Sequence, residues 1–123
     1  MQAGGPLRVL LVDDDDAFRA ALRELCSVLP GLEVVGAAAG VDEALAIRAR
    51  TAVDVVVADI RMPHGGGRRL LHALRADGHR GRVVLTSAGA PAALVDTLLS
   101  EGADAFVPKS APALEWQRTL CPT

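Results

Sequence analysis

The chain has 123 residues, half of them hydrophobic, which suits one domain built on one core. Its net charge of −2 comes from 13 basic and 15 acidic residues scattered along the chain, so the clustered lysine and arginine of a direct nucleic-acid contact are missing. No apolar run reaches the roughly 18 residues of a membrane span, and Met1–Pro6 lacks the charged-then-apolar plan of a signal peptide, so a cytoplasmic location is expected.

Taken in chain order, short apolar runs alternate with helical patterns. Leu7 to Val12 is a strand that stops at the acidic run Asp13–Asp16. Ala17 to Leu29 has apolar residues at helical spacing (Phe18, Ala21, Leu22, Leu25, Val28, Leu29) and ends at Pro30-Gly31. Asp16 fits the N-cap of that helix, with Asp15 solvated beside it. Glu33 to Ala38 is a second strand and Val41 to Ala49 a second helix. Val53 to Ala58 is a third, valine-rich strand; the turn Pro63 to Gly67 follows, then a helix over Arg68 to Ala76. Arg82 to Thr86, Ala92 to Leu99, Ala105 to Val107 and Ala111 to Leu120 complete the series as strand, helix, strand and helix.

Five strand–helix units predict an α/β fold, a doubly wound five-stranded parallel sheet with helices on both faces. Continuous apolar runs such as Val55-Val56-Val57 and Val83-Val84-Leu85 fit strands buried on both sides. No linker or internal repeat divides the chain, so residues 1–123 read as a single domain. The two cysteines, Cys26 and Cys121, have no metal-ligand spacing and are expected to be free thiols, with Cys26 in the core.

In such a sheet, ligands bind at the carboxyl ends of the strands. Asp13 and Asp14 follow the first strand, Asp59 the third, Thr86 and Ser87 lie at the end of the fourth, and Lys109 follows the fifth. Each of these alone is commonplace, since an aspartate after a strand is usually a solvated turn or a cap. Their joint placement on one edge is what points to chemistry. Three carboxylates repel: at about 4 Å and an effective dielectric near 20, each like-charge contact costs roughly 4 kcal/mol. Lys109 supplies one compensating charge, and a hard divalent cation, Mg2+, suits the remaining oxygen donors. A carboxylate beside such cations can act as a nucleophile toward phosphorus.

The stretches Leu10-Leu11-Val12-Asp13-Asp14, Asp59-Ile60-Arg61-Met62-Pro63, Val84-Leu85-Thr86-Ser87 and Phe106-Val107-Pro108-Lys109-Ser110 resemble the motifs of receiver domains of bacterial two-component response regulators, in that family's order and over nearly the whole chain. Glu33-Val34-Val35-Gly36 and Lys109-Ser110-Ala111 are similar to the branch with helix-turn-helix output domains. The resemblance implies a flavodoxin-like fold with strand order 2-1-3-4-5. It implies Asp59 as phosphoacceptor, with Asp14, Asp59 and the backbone carbonyl of Arg61 as Mg2+ ligands and Asp13 holding metal-bound water. It makes Thr86 the switch hydroxyl, Lys109 the phosphate-binding lysine and Phe106 the switch aromatic. The implied partner is a histidine kinase or a phosphotransfer protein.

The chain departs from that pattern in three places. Ser110 follows the lysine where many receivers carry proline, so the Lys109–Ser110 bond is expected to be trans. The turn Pro63-His64-Gly65-Gly66-Gly67 lacks the usual acidic residue, and its glycines read as a flexible turn rather than a phosphate cradle. The final helix is short; a tryptophan such as Trp116 is more often a packing residue than an interface anchor, but if Ala113, Leu114 and Leu120 face the sheet it leans toward the edge and supports a homodimer. His64, His72 and His79 have no ligand spacing. The rival readings are an aspartyl phosphatase, which would carry an acid where Arg61 stands, and a phosphorylation-independent pseudo-receiver or dimerisation module.

Overall fold

Valine and leucine fill the central strands, and two-sided burial of those strands sets the architecture. The computed structural model describes residues 5–122; the signal-peptide reading of the N-terminus falls largely on residues 1–4, outside the described residues. The elements are β1 (Leu7–Val12), α1 (Asp16–Val28), β2 (Leu32–Ala38), α2 (Val41–Arg50), β3 (Val55–Asp59), α3 (Gly66–Ala76), β4 (Arg82–Ser87), α4 (Ala92–Ser100), β5 (Ala105–Pro108) and α5 (Ala113–Leu120). The five strands form one sheet in the order β2-β1-β3-β4-β5, and every neighbouring pair is parallel. Each parallel connection therefore has to cross over, and the helices do so on both faces.

The period-two alternation of the strands divides the core into two layers. Leu10, Val12, Val56, Ala58, Val83 and Leu85 face α2, α3 and α4, where Ala44, Ile47, Leu70, Leu71, Leu74 and Leu98 cover them. Val9, Leu11, Val55, Val57, Val84 and Val107 face α1 and α5, where Leu22, Cys26, Trp116 and Leu120 cover them. All five residues of β3 are buried, as its valine run predicts. Among the described residues, no helix is long and apolar enough to cross a membrane.

Several boundaries differ from the sequence reading, each for a local reason. Asp15, not Asp16, caps α1: its carboxylate accepts from the Ala17 and Phe18 amides at 3.0 and 3.1 Å. Asp16 instead occupies the first turn, where its charge favours the helix N-terminus, and pairs with Arg19 at 2.7 Å. Val28, at the helix end, is 72% exposed, so the apolar stripe of α1 stops one turn earlier. The α3 helix starts two residues before Arg68, at Gly66. The α5 helix begins after Pro112, because a proline is favoured at a helix start but cannot continue one. It has 8 residues, about 12 Å.

The expectation for Trp116 is overturned. It is 3% exposed, and the buried positions of α5 are Trp116 and Leu120, one helical turn apart. Ala113 and Leu114, expected to face the sheet, lie outside, and Leu114 is 53% exposed. The large indole takes the inward stripe because Phe18 of α1 offers it an aromatic partner, with ring centroids 6.2 Å apart and planes tilted by 50°. A dimer centred on an exposed Trp116 loses its basis. Among the described residues, no peptide bond is cis, that of Lys109–Ser110 included.

Candidate functional site

The carboxyl ends of β1, β3, β4 and β5 converge. Val12 pairs with Ala58, and the next residue, Asp13, donates its amide to Ala38 O at 3.0 Å as the chain leaves the sheet. Asp59 is the last residue of β3 and pairs with Thr86 of β4. Lys109 follows β5 directly, anchored by its amide on Ser87 O at 3.0 Å. Asp13, Asp59, Thr86 and Ser87 are all buried, whereas Asp14 is exposed.

Lys109 Nζ lies 2.9 Å from Asp13 Oδ2 and 3.0 Å from Asp59 Oδ2, so a single ammonium holds two buried carboxylates. The other oxygens are turned to the backbone. Asp13 Oδ1 accepts from the Asp15 amide at 2.8 Å, and Asp59 Oδ1 accepts from the Arg61 amide at 2.9 Å. These bonds fix both carboxylates by their own following loops. Arg19 Nη1 donates to Asp13 O at 2.6 Å and ties α1 to the same corner. The ammonium also sits 4.5 Å from the centroid of the Phe18 ring.

Burial pushes the Asp13 carboxyl above its ordinary range, and the Asp59 charge adds to that; the bonds from Lys109 and the Asp15 amide oppose it without cancelling it. For Lys109, burial works against the charge, but hydrogen bonding and attraction from Asp13 and Asp59 outweigh it and hold the ammonium above its usual value. One carboxylate oxygen from each of Asp13, Asp14 and Asp59 falls in a group no more than 4.8 Å across. Three carboxylates against one ammonium leave two negative charges in excess. A hard divalent cation with oxygen ligands offsets that excess, so the donor set fits Mg2+.

Thr86 Oγ1 is buried and has no hydrogen-bond partner. Such an orphan costs about 1–3 kcal/mol, and it stands at the residue paired with Asp59. Arg61 is exposed, its amide committed to Asp59. Phe106 is half-buried and packs against the layer under α2, α3 and α4. Among the described residues, the histidines contribute to no metal-ligating cluster. Instead His72 bonds Glu101 at 2.8 Å, and His79 is buried near the amino end of β4.

Two features of the site escaped the sequence reading. The first is the close approach at Gly66 and Gly67. Gly66 has φ +58°, and a Cβ there would fall 2.1 Å from Ile60 O; at Gly67 it would fall 2.8 Å from Asp59 O. These glycines are neither cradle nor slack: they let the start of α3 lie against the backbone of the phosphoacceptor candidate. The second is Phe18, which reads from the sequence as an ordinary core residue. Its place one turn into the helix after Asp13–Asp14 was the available signal.

The chain matches the response regulator receiver domain family over residues 9–118. It is 36% identical over 93% of its length to the DNA-binding transcriptional activator DevR/DosR of Mycobacterium tuberculosis, and 31% identical over 90% to the nitrate/nitrite response regulator NarP of Escherichia coli. It spans 52% of each of those two proteins, about half their length. Among solved structures, the signal receiver domain of the response regulator NarL of M. tuberculosis superposes with a TM-score of 0.85 at 32% identity, covering 94% of this chain and 93% of that one. CheY in the CheX–CheY–BeF3–Mg complex of Borrelia burgdorferi also superposes at 0.85, with 27% identity, 94% of this chain and 87% of that one.

Proposed function

Because the chain belongs to the response regulator receiver domain family, a domain of two-component signalling, we propose that Asp59 is its phosphoacceptor. The observation that carries this is Lys109 poised 3.0 Å from a buried Asp59 while also holding Asp13 at 2.9 Å. Of the three clustered carboxylates, Asp59 ends the central strand, with the unpartnered hydroxyl of Thr86 at the paired position.

In the reaction, one carboxylate oxygen of Asp59 attacks phosphorus. The bond from phosphorus to the donor's imidazole nitrogen breaks, its electron pair stays on the imidazole, and the imidazole takes up a proton. The donor is a phosphohistidine of a histidine kinase or phosphotransfer protein. Lys109 offsets charge on the transferring oxygens, and the Thr86 hydroxyl donates to one of them. Asp14, Asp59 and the Arg61 carbonyl would hold Mg2+, and Asp13 would hold water bound to that ion. When bound, the ion neutralises the charge that gathers on the phosphoryl oxygens. Phosphorylation turns the single charge of the Asp59 carboxylate into about two on its acyl phosphate, and Thr86 and Phe106 respond by moving inward and reshaping the surface of α4, β5 and α5.

The similar CheY of B. burgdorferi, described in a complex with BeF3 and Mg2+, supports this reading. The free thiols of Cys26 and Cys121 fit a reducing cytoplasm. The domain supplies the pocket for transfer and for slow loss of its own phosphate, and serves as a switch rather than as an enzyme acting on other molecules.

The test is incubation with acetyl phosphate and Mg2+, followed by intact-mass measurement and peptide mapping. One phosphoryl group on Asp59, absent in Asp59→Asn, is the expected result. Equal labelling of Asp59→Asn overturns the assignment, and no labelling of the unaltered chain points to a phosphorylation-independent pseudo-receiver.

A further inference from the structure

The aromatic pair under Lys109 has no part in the chemistry above. Three groups hold the Lys109 ammonium: Asp13 at 2.9 Å, Asp59 at 3.0 Å, and the face of Phe18 at 4.5 Å from the ring centroid. Phe18 in turn meets Trp116 at 6.2 Å with a 50° tilt, within the range of favourable aromatic pairs. Trp116 and Leu120 are the buried residues of α5, so they determine how this two-turn helix sits on the sheet. An unbroken line of contacts therefore runs from the acidic pocket through one ring to the seat of α5.

We infer that Phe18 positions the Lys109 ammonium and carries the state of the pocket to Trp116 on α5. The inference rests on Asp59 as phosphoacceptor. The face of an aromatic ring is negative and competes with the two carboxylates for one cation. A phosphoryl group on Asp59 raises the negative charge carried there from one to about two and draws the ammonium away from the ring. The ring then repacks against its other neighbour. Interiors are close-packed, so a displaced ring moves what it touches. This route is separate from the Thr86–Phe106 route, because Phe106 packs on the layer under α2, α3 and α4, whereas Phe18 and Trp116 belong to the layer under α1 and α5.

Trp116 is the only tryptophan of the chain, so its fluorescence reports this position alone. The experiment records its emission before and after acetyl phosphate with Mg2+, with labelling of Asp59 quantified by intact mass in the same samples. Three chains are compared at matched labelling: unaltered, Phe18→Leu, which keeps most of the volume without a π face, and Phe18→Tyr, which keeps the face. Emission is expected to shift in the unaltered chain and in Phe18→Tyr, and the shift to be lost in Phe18→Leu. A labelled unaltered chain with unmoved emission overturns the relay, as does an equal shift in Phe18→Leu. Absence of labelling in the unaltered chain is a different result and rejects the phosphoacceptor reading instead.

Discussion

Asp59 and Thr86 are direct partners in the parallel β3–β4 ladder, and the Ile60 amide donates to Thr86 O at 2.9 Å just beyond them. The last rung of the central strand pair thus sets a nucleophile candidate beside a buried hydroxyl that has no partner of its own. Leaving that hydroxyl unsatisfied costs stability in the resting domain. Thr86→Val keeps the shape and removes the orphan. It is expected to raise the unfolding free energy by up to about 1–3 kcal/mol in urea titration, while weakening the response to phosphorylation. A loss of stability of similar size would show that the hydroxyl is satisfied in solution.

Magnesium is expected to stabilise the folded chain, because Asp13, Asp14 and Asp59 lie within one small cluster opposite a single ammonium. A ligand that binds only the folded state adds about 2.7 kcal/mol at one hundred times its Kd. Thermal unfolding with and without MgCl2 measures the gain. Asp14→Ala, an exposed position, should fold normally and lose it. The same gain in that variant would exclude Asp14 as a ligand.

Gly67→Ala is expected to destabilise the domain by about 1–3 kcal/mol and to slow labelling of Asp59. The added methyl would meet Asp59 O at 2.8 Å, and backbone there has little room to yield. Urea denaturation gives the first number and the time course of labelling by acetyl phosphate the second. Unchanged values in both would mean that α3 can draw back from β3 freely.

At the opposite pole, Asp54 accepts from the Arg8 amide at 2.8 Å and from its guanidinium at 3.1 and 3.3 Å. These bonds hold the Asp54 carboxyl below its usual range. A depressed carboxylate pKa contributes stability that is present above the unfolded value, about 3.9, and lost as pH falls through the folded value. The advantage of the unaltered chain over Asp54→Asn should therefore be constant near neutrality and shrink below about pH 4. Denaturation curves for both chains across that range test it; a difference independent of pH would assign the effect to packing.

Much of this molecule is legible from its residues. Alternating valine-rich runs and helical stripes dictate a parallel two-sided sheet, because strands buried on both faces have no polar side to show. Asp13, Asp14, Asp59, Thr86 and Lys109 are readable as one group because a parallel sheet brings its strand ends to a single edge. What the sequence leaves open is rotation and close approach. An eight-residue helix offers too few positions for its stripe to be unique, so only packing decided that Trp116 turns inward and Leu114 outward. One-residue differences in phase are decided by hydrogen bonds, which is how Asp15 rather than Asp16 came to cap α1. Gly66 and Gly67 look like a loose turn until the Ile60 and Asp59 carbonyls appear where their side chains would be. Phe18 looks like core until a lysine from 91 positions further along the chain comes to rest over its ring, a contact that exists only because the fold brings the Lys109 side chain to Asp13, between β1 and α1.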